Sequence, residues 1–303
     1  MGIRGLESLL EGFYTSEHSS KIFTQTKLKD LRLVIDGNQF AYILSNIYQS
    51  GLYGGNYDYF YENVKKLLGK LKSSIEIVIF DGGRENINKS IKRLENKVAY
   101  NANISTSPGR PVLSDVEYLQ NLRECPALFN KMILFKVLNE LNINYAMAES
   151  LADHVIAAYA SGKNPSKQKF TVMSKASFFN VYNLDGGYLC SAYVMKKFEK
   201  VDCLNEDTEF GVFHLKKLLK HVGFESQLTW IYFCILMGNR DDADLSRNIN
   251  YFKEHKISTK ESFDNLLEHM KDQEKKLIDT NFKQIRNTYR AKVIHFLVYQ
   301  CVY

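Results

Sequence analysis

A chain of 303 residues with 45% hydrophobic side chains can bury one large core or two moderate ones, and four prolines with 17 glycines exclude extensive disorder. Lys and Arg number 40 against 34 Asp and Glu, a net charge of +6 that leans toward polyanionic partners without requiring one. No apolar run reaches the roughly 18 residues of a membrane span, and the five cysteines (Cys125, Cys190, Cys203, Cys234, Cys301) show neither metal-finger spacing nor a disulfide framework.

The first residues, MGIRGLESLLEG, place Leu6, Leu9 and Leu10 on one helical face. They show no secretory h-region, and Leu6 stands where a myristoylation motif needs Ser or Thr. The expected setting is therefore a reducing intracellular compartment, nucleus or cytoplasm, with no membrane. Residues 13–30 are mostly polar and read as a loop or broken helix. The stretch from Leu31 to Asn38, LRLVIDGN, reads as a buried strand ending in a turn, which puts Asp36 at the strand's C-terminal edge. Helices follow at Gln39–Tyr48 and Phe60–Leu71, separated by a glycine- and tyrosine-rich connection. Tyr53, Tyr57, Tyr59 and Tyr61 there suit either an interface or the core. The stretch from Ile75 to Gly83, IEIVIFDGG, repeats the strand-aspartate-glycine pattern with Asp81. Two such carboxylates either share a hard cation or cap turns.

A basic stretch comes next, with Arg84, Lys89, Lys92, Arg93 and Lys97 on an expected helix. It suits phosphate contacts, or a solvated face balanced by Glu85 and Glu95. After a break at SPGRPVLS, Phe129–Leu141 reads as a helix and Asn142–Ala148 as a short strand. From Glu149 to Ala160, ESLADHVIAAYA reads as a helix with Glu149 and Asp153 on one face, either reaching a ligand or complementing the helix dipole. His154 points elsewhere. A loop at Ser161–Lys169, a strand at Phe170–Met173, a turn at Asp185–Gly187 and a helix at Val212–Val222 follow. The apolar stretch Trp230–Met237 runs into GNRDDAD. Ile278, Phe282, Ile285, Tyr289, Val293 and Phe296 give an amphipathic helix near the end, packed on the core or on a partner.

MGIRGL, VIDGN at Asp36, IFDGG at Asp81, the acidic helix near 150, SKASFF after a strand and FCILMGN, in this order, resemble the flap endonuclease superfamily, and within it the Asteroid branch. The resemblance covers roughly residues 1–245. Residues 246–303 match by position only and form the expected helical C-terminal extension. It implies an α/β fold: a PIN-like, Rossmann-like three-layer core with a mostly parallel central sheet. It also implies nucleic-acid cleavage by two divalent cations held by about six or seven carboxylates.

Carried over by motif, the family's first two aspartates fall on Asp36 and Asp81. The next pair of acids falls on Leu151 and Asp153, with Glu149 two residues earlier. The aspartates of the family's S-x-D-S-D-F motif fall on Ala176 and Phe178. The last falls on Arg240, with Asp241 one residue late. The phosphate-contacting lysine and arginine fall on Lys89 and roughly on Lys97. The glycine-rich helix-turn-helix expected after residue 240 is replaced by DDADLSRNINYFKEHKIS.

The implied metal set is thus Asp36, Asp81, Glu149, Asp153 and Asp241, for no metal or for one weakly bound Mg2+ or Mn2+. Arg240 offers a charge-assisted pair in place of a cation. The expectation is a degenerate nuclease-like protein that binds a protein partner, or DNA or RNA through the basic helix 84–97. The alternatives are an active structure-specific or single-strand endonuclease with a rearranged site, and a purely structural interaction protein.

Overall fold

A computed structural model describes residues 19–48, 56–82, 129–161 and 168–224, together with residues 6, 10, 13, 14, 227, 230, 231 and 234. The basic stretch at 84–97, Arg240, Asp241 and the extension at 246–303 lie outside the described residues. The chain divides into two compact units. The larger takes in described parts of Lys27–Lys175 and Ser191–Glu209, the smaller those of Met1–Thr26, Ala176–Cys190 and Phe210–Tyr303.

In the larger unit, strands β2 (Leu33–Asp36), β3 (Ile75–Phe80), β4 (Tyr145–Met147) and β5 (Thr171–Ser174) run parallel in the order β5-β2-β3-β4. All four residues of β2 are buried. A strand covered on both faces reads as a continuous apolar run, which is why LRLVID carries so clear a signal.

Helix α2 (Gly37–Ile47) leaves β2 directly and packs over β2, β3 and β5. Its buried residues include Phe40, Ala41, Ile43 and Leu44. Helix α3 (Tyr57–Leu71) is capped by Asn56, whose side chain accepts the Tyr59 N–H at 3.0 Å. Phe60, Val64, Leu67, Leu68 and Leu71 form its buried stripe, packed on α4 (Asn130–Glu140). Helix α5 (Ala152–Ala160) packs over β2, β3 and β5 as well.

Parallel crossovers are right-handed. The steps β2 to β3 and β3 to β4 go one way along the sheet, and the step β4 to β5 returns the other way. Helices α2, α3 and α4 therefore cover one face and α5 the other, which is the expected three-layer α/β arrangement. Helix α6 (Ser191–Phe198) packs on α2, with the Phe40 and Phe198 rings 6.4 Å apart, edge to face.

In the smaller unit the strand order is β1 (Phe23–Lys27), β7 (Glu209–Phe213), β6 (Tyr188–Cys190). Strands β6 and β7 are antiparallel, with Tyr188 opposite Phe213. Two expectations are corrected here. Residues 13–30, expected as a loop or broken helix, hold a short helix α1 (Ser19–Ile22) but then the strand β1, which was not expected. The helix expected over Val212–Val222 begins at Leu215 as α7 (Leu215–Val222), and Val212 and Phe213 belong to β7. The run of valine, phenylalanine and leucine across that boundary hides the change of period. Helix α7 stops at Gly223, whose φ of +82° is left-handed, and whose N–H donates to the Leu219 carbonyl at 2.9 Å. Trp230 is fully buried and donates its indole N–H to the Asn180 carbonyl at 3.1 Å.

No helix among the described residues is long and apolar enough to cross a membrane.

Candidate functional site

Because β5, β2 and β3 are parallel neighbours, their C-terminal ends lie along one edge. That edge carries Ser174, Asp36 and Asp81. In register, Ile35 faces Met173 and Asp36 faces Ile79, so Ser174 and Asp81 flank Asp36 from either side.

Close approach of the strand ends depends on the glycines after each aspartate. A Cβ on Gly37 would lie 2.4 Å from the Phe80 ring. A Cβ on Gly82 would lie 1.7 Å from the Ala148 carbonyl oxygen, and the Gly82 N–H donates to the Ser150 carbonyl at 2.7 Å. The D-G pattern is thus a packing requirement as well as a turn signal.

Asp36 is buried, 3% exposed. One carboxylate oxygen accepts the Gln39 N–H at 3.1 Å, capping α2, and the other accepts the Ser174 hydroxyl at 2.8 Å. Burial pushes its carboxyl up to about 7. The hydrogen bonds from Gln39 and Ser174 oppose that rise, while the charges of Asp153 and Asp81 add to it.

Asp81 accepts the Ala152 N–H at 2.7 Å. Leu151, at the N-cap of α5, has no side-chain acceptor to offer. Asp81 therefore caps from another strand a helix that its own sequence leaves uncapped. Asp81→Ala is expected to cost about 1 kcal/mol, and Asp81→Asn distinctly less, because the amide oxygen still accepts. Urea denaturation of the two variants checks this, and equal losses would contradict a capping role.

Asp153 lies in the first turn of α5, half-buried, within electrostatic reach of Asp36. Glu149 is exposed and precedes the helix, so the shared helical face expected for Glu149 and Asp153 does not form. The buried face of α5 is Ala152, Ile156, Ala157 and Ala160, and Val155 is 43% exposed. Ala176 is buried, its carbonyl accepting the Tyr188 hydroxyl at 3.1 Å. Phe178 is half-buried with its ring 4.9 Å from that of Tyr182. Asp241 and the basic residues Arg84, Lys89, Lys92, Arg93 and Lys97 fall outside the described residues.

One residue the sequence reading passes over stands out. Lys131, in the first turn of α4, holds its ammonium 5.3 Å from the Phe80 ring centre and 5.8 Å from that of Phe135. Burial lowers its pKa, and the charges of Asp81 and Asp36 raise it. Lys175, next to Ser174, similarly lies 4.6 Å from the Tyr42 ring centre.

A two-cation centre needs oxygen ligands free to face the ions. Both oxygens of Asp36 and one of Asp81 accept one protein hydrogen bond each, which leaves each oxygen a second lone pair. Among the described residues, no group of three or more His, Cys, Asp or Glu is arranged to hold a metal ion.

No family model matches the chain. Over 245 residues it is 26% identical to the single-strand DNA endonuclease ASTE1 of Homo sapiens and to that of Pongo abelii, covering 79% of this chain and 33% of each relative. It is 29% identical to the Mus musculus protein over 200 residues, 63% of this chain and 26% of the relative. This chain is homologous to the ASTE1 proteins. It spans about a third of the length of the curated relatives it matches. A solved structure of the catalytic core of Rad2 in complex with DNA substrate overlaps with a TM-score of 0.46 at 13% identity, covering 92% of this chain and 80% of that one. The Asteroid-like resemblance read from MGIRGL, VIDGN and IFDGG agrees with the similarity to these relatives, on an α/β fold whose central strands β5, β2, β3 and β4 are parallel.

Proposed function

We propose that this Asteroid-like domain is catalytically degenerate and acts by binding, with single-stranded nucleic acid as the favoured partner and a protein partner beside it. The observation that carries this reading is the loss of acids: Leu151, Ala176, Phe178 and Arg240 stand at positions where the family resemblance puts carboxylates. The cofactor is none, or one weakly bound Mg2+ or Mn2+. Arg84, Lys89, Lys92, Arg93 and Lys97 supply the phosphate contacts, in an intracellular setting.

A second reading, an active single-strand endonuclease, is favoured by the homology to proteins bearing that name. The test is a cleavage assay on labelled single-stranded and flap DNA and RNA with Mn2+, wild type beside Asp36→Ala, with folding checked by circular dichroism. Uncut substrate in both is the expected result. Cleavage by the wild type alone would overturn the degenerate reading. In parallel, binding to single-stranded DNA or RNA should weaken steeply with salt, and the Lys89→Ala/Lys92→Ala/Lys97→Ala variant should flatten that slope.

A further inference from the structure

The carboxylates at the strand ends have a cationic neighbour of their own. Lys131 comes from α4, far along the chain from both aspartates, and the packing of α4 brings its ammonium over the ring of Phe80. Phe80 is the residue before Asp81, is fully buried, and presses against Gly37, the residue after Asp36. One ring thus touches the backbone beside one aspartate, belongs to the residue before the other, and carries the lysine ammonium. Phe135 adds a second ring at 5.8 Å, itself 4.4 Å from the Phe80 ring. A ring face attracts a cation and holds it in place without neutralising it, so the positive charge stays available to nearby carboxylates.

We propose that the Lys131 ammonium is the resident cation of this edge, taking the electrostatic role that a divalent metal would take there and disfavouring metal binding at Asp36 and Asp81. The inference rests on the degenerate reading of the site and gives it a physical cause beyond missing ligands. Carboxylates gathered at one edge repel one another unless a positive charge offsets them. A divalent ion entering the same edge would meet the field of an ammonium held on the Phe80 ring, and like charges repel more strongly in a partly buried setting than in water. The electrostatic interaction of Lys131 with both Asp81 and Asp36 is consistent with this placement.

The experiment is direct Mn2+ binding to the full chain, read by electron paramagnetic resonance of free Mn2+, for wild type, Lys131→Met, Lys131→Arg and Lys131→Met/Asp36→Asn. Lys131→Met keeps a flexible apolar stem on the two rings and removes the charge. Lys131→Gln is the substitute if it fails to fold. The expected result is a gain in Mn2+ affinity of roughly tenfold or more in the neutral variant, no gain with arginine, and loss of the gain in the double variant. Equal affinity in wild type and the neutral variant would overturn the proposal. A gain that survives Asp36→Asn would also overturn it, because the ion would then sit elsewhere. The two readings fail separately. Wild-type cleavage with Mn2+ sinks the degenerate reading, whereas an unchanged Mn2+ affinity in Lys131→Met, with no wild-type cleavage, sinks only the role of Lys131.

Discussion

Gly82→Ala should destabilise the protein by about 3 kcal/mol, while Gly69→Ala, also a single added methyl, should stabilise it by about 1 kcal/mol. At Gly82 the new Cβ would lie 1.7 Å from the Ala148 carbonyl oxygen and 2.7 Å from the Glu149 backbone. These are backbone atoms, fixed by the pairing of β3 with β4 and by the hydrogen bond from Ala148 N–H to the Phe80 carbonyl at 2.8 Å. Relief requires moving the chain between β4 and α5, and that movement pulls the α5 N-terminus away from the Asp81 carboxylate that caps it. At Gly69 nothing lies within 4 Å of the added Cβ, and the residue is exposed in the interior of α3. There alanine only reduces the backbone entropy lost on forming the helix. Urea denaturation of both variants reads the two signs side by side. A Gly82→Ala midpoint equal to wild type would mean that the strand ends are not as close as described.

The second large effect is on pH dependence. Asp36 ionises at its ordinary 3.8 in the unfolded chain and at about 7 in the folded one. Between those values the folded state binds more protons than the unfolded state, so stability falls as pH rises through that window. It is flat, as far as this group is concerned, below and above it. Three units at 1.36 kcal/mol each amount to about 4 kcal/mol. Asp36→Asn removes the group while keeping its shape. The amide oxygen still accepts from the Gln39 N–H, and the Ser174 hydroxyl can turn to accept from the amide. The variant should match wild type near pH 4, exceed its stability at pH 8, and lose most of the slope between. Urea midpoints at pH 4, 6 and 8 suffice. Parallel curves for the two proteins would show that Asp36 is not buried as an acid.

Much of the larger unit is legible in the sequence because its signals are local. A strand buried on both faces is a continuous apolar run, so LVID and the end of IEIVIF are visible without any partner. The stripes of α2, α3 and α4 are visible through their helical period. The two D-G pairs mark where those strands stop. From these comes the position of Asp36 and Asp81 at strand ends, while the mostly parallel sheet is what the family resemblance implies.

Strands β1, β6 and β7 are not legible in the same way. They are short, β1 is mostly polar, and what makes them strands is pairing with segments distant in the chain. The same reason hides the rest of the site. Nothing near Lys131 distinguishes it from any lysine in the first turn of a helix. Its meaning comes from the packing of α4, which sets it over Phe80. Leu151 shows no cap for α5 until Asp81, 71 positions before Ala152, is seen to accept the Ala152 N–H. Ser174 reads as an ordinary polar strand end until β5 pairs with β2 and its hydroxyl meets Asp36. The sequence by itself determined which carboxylates stand at strand ends, because hydrophobic periodicity records burial residue by residue. Only the tertiary structure decided what those carboxylates touch, because hydrogen bonds and charge pairs across the fold depend on chain crossovers that no local pattern encodes.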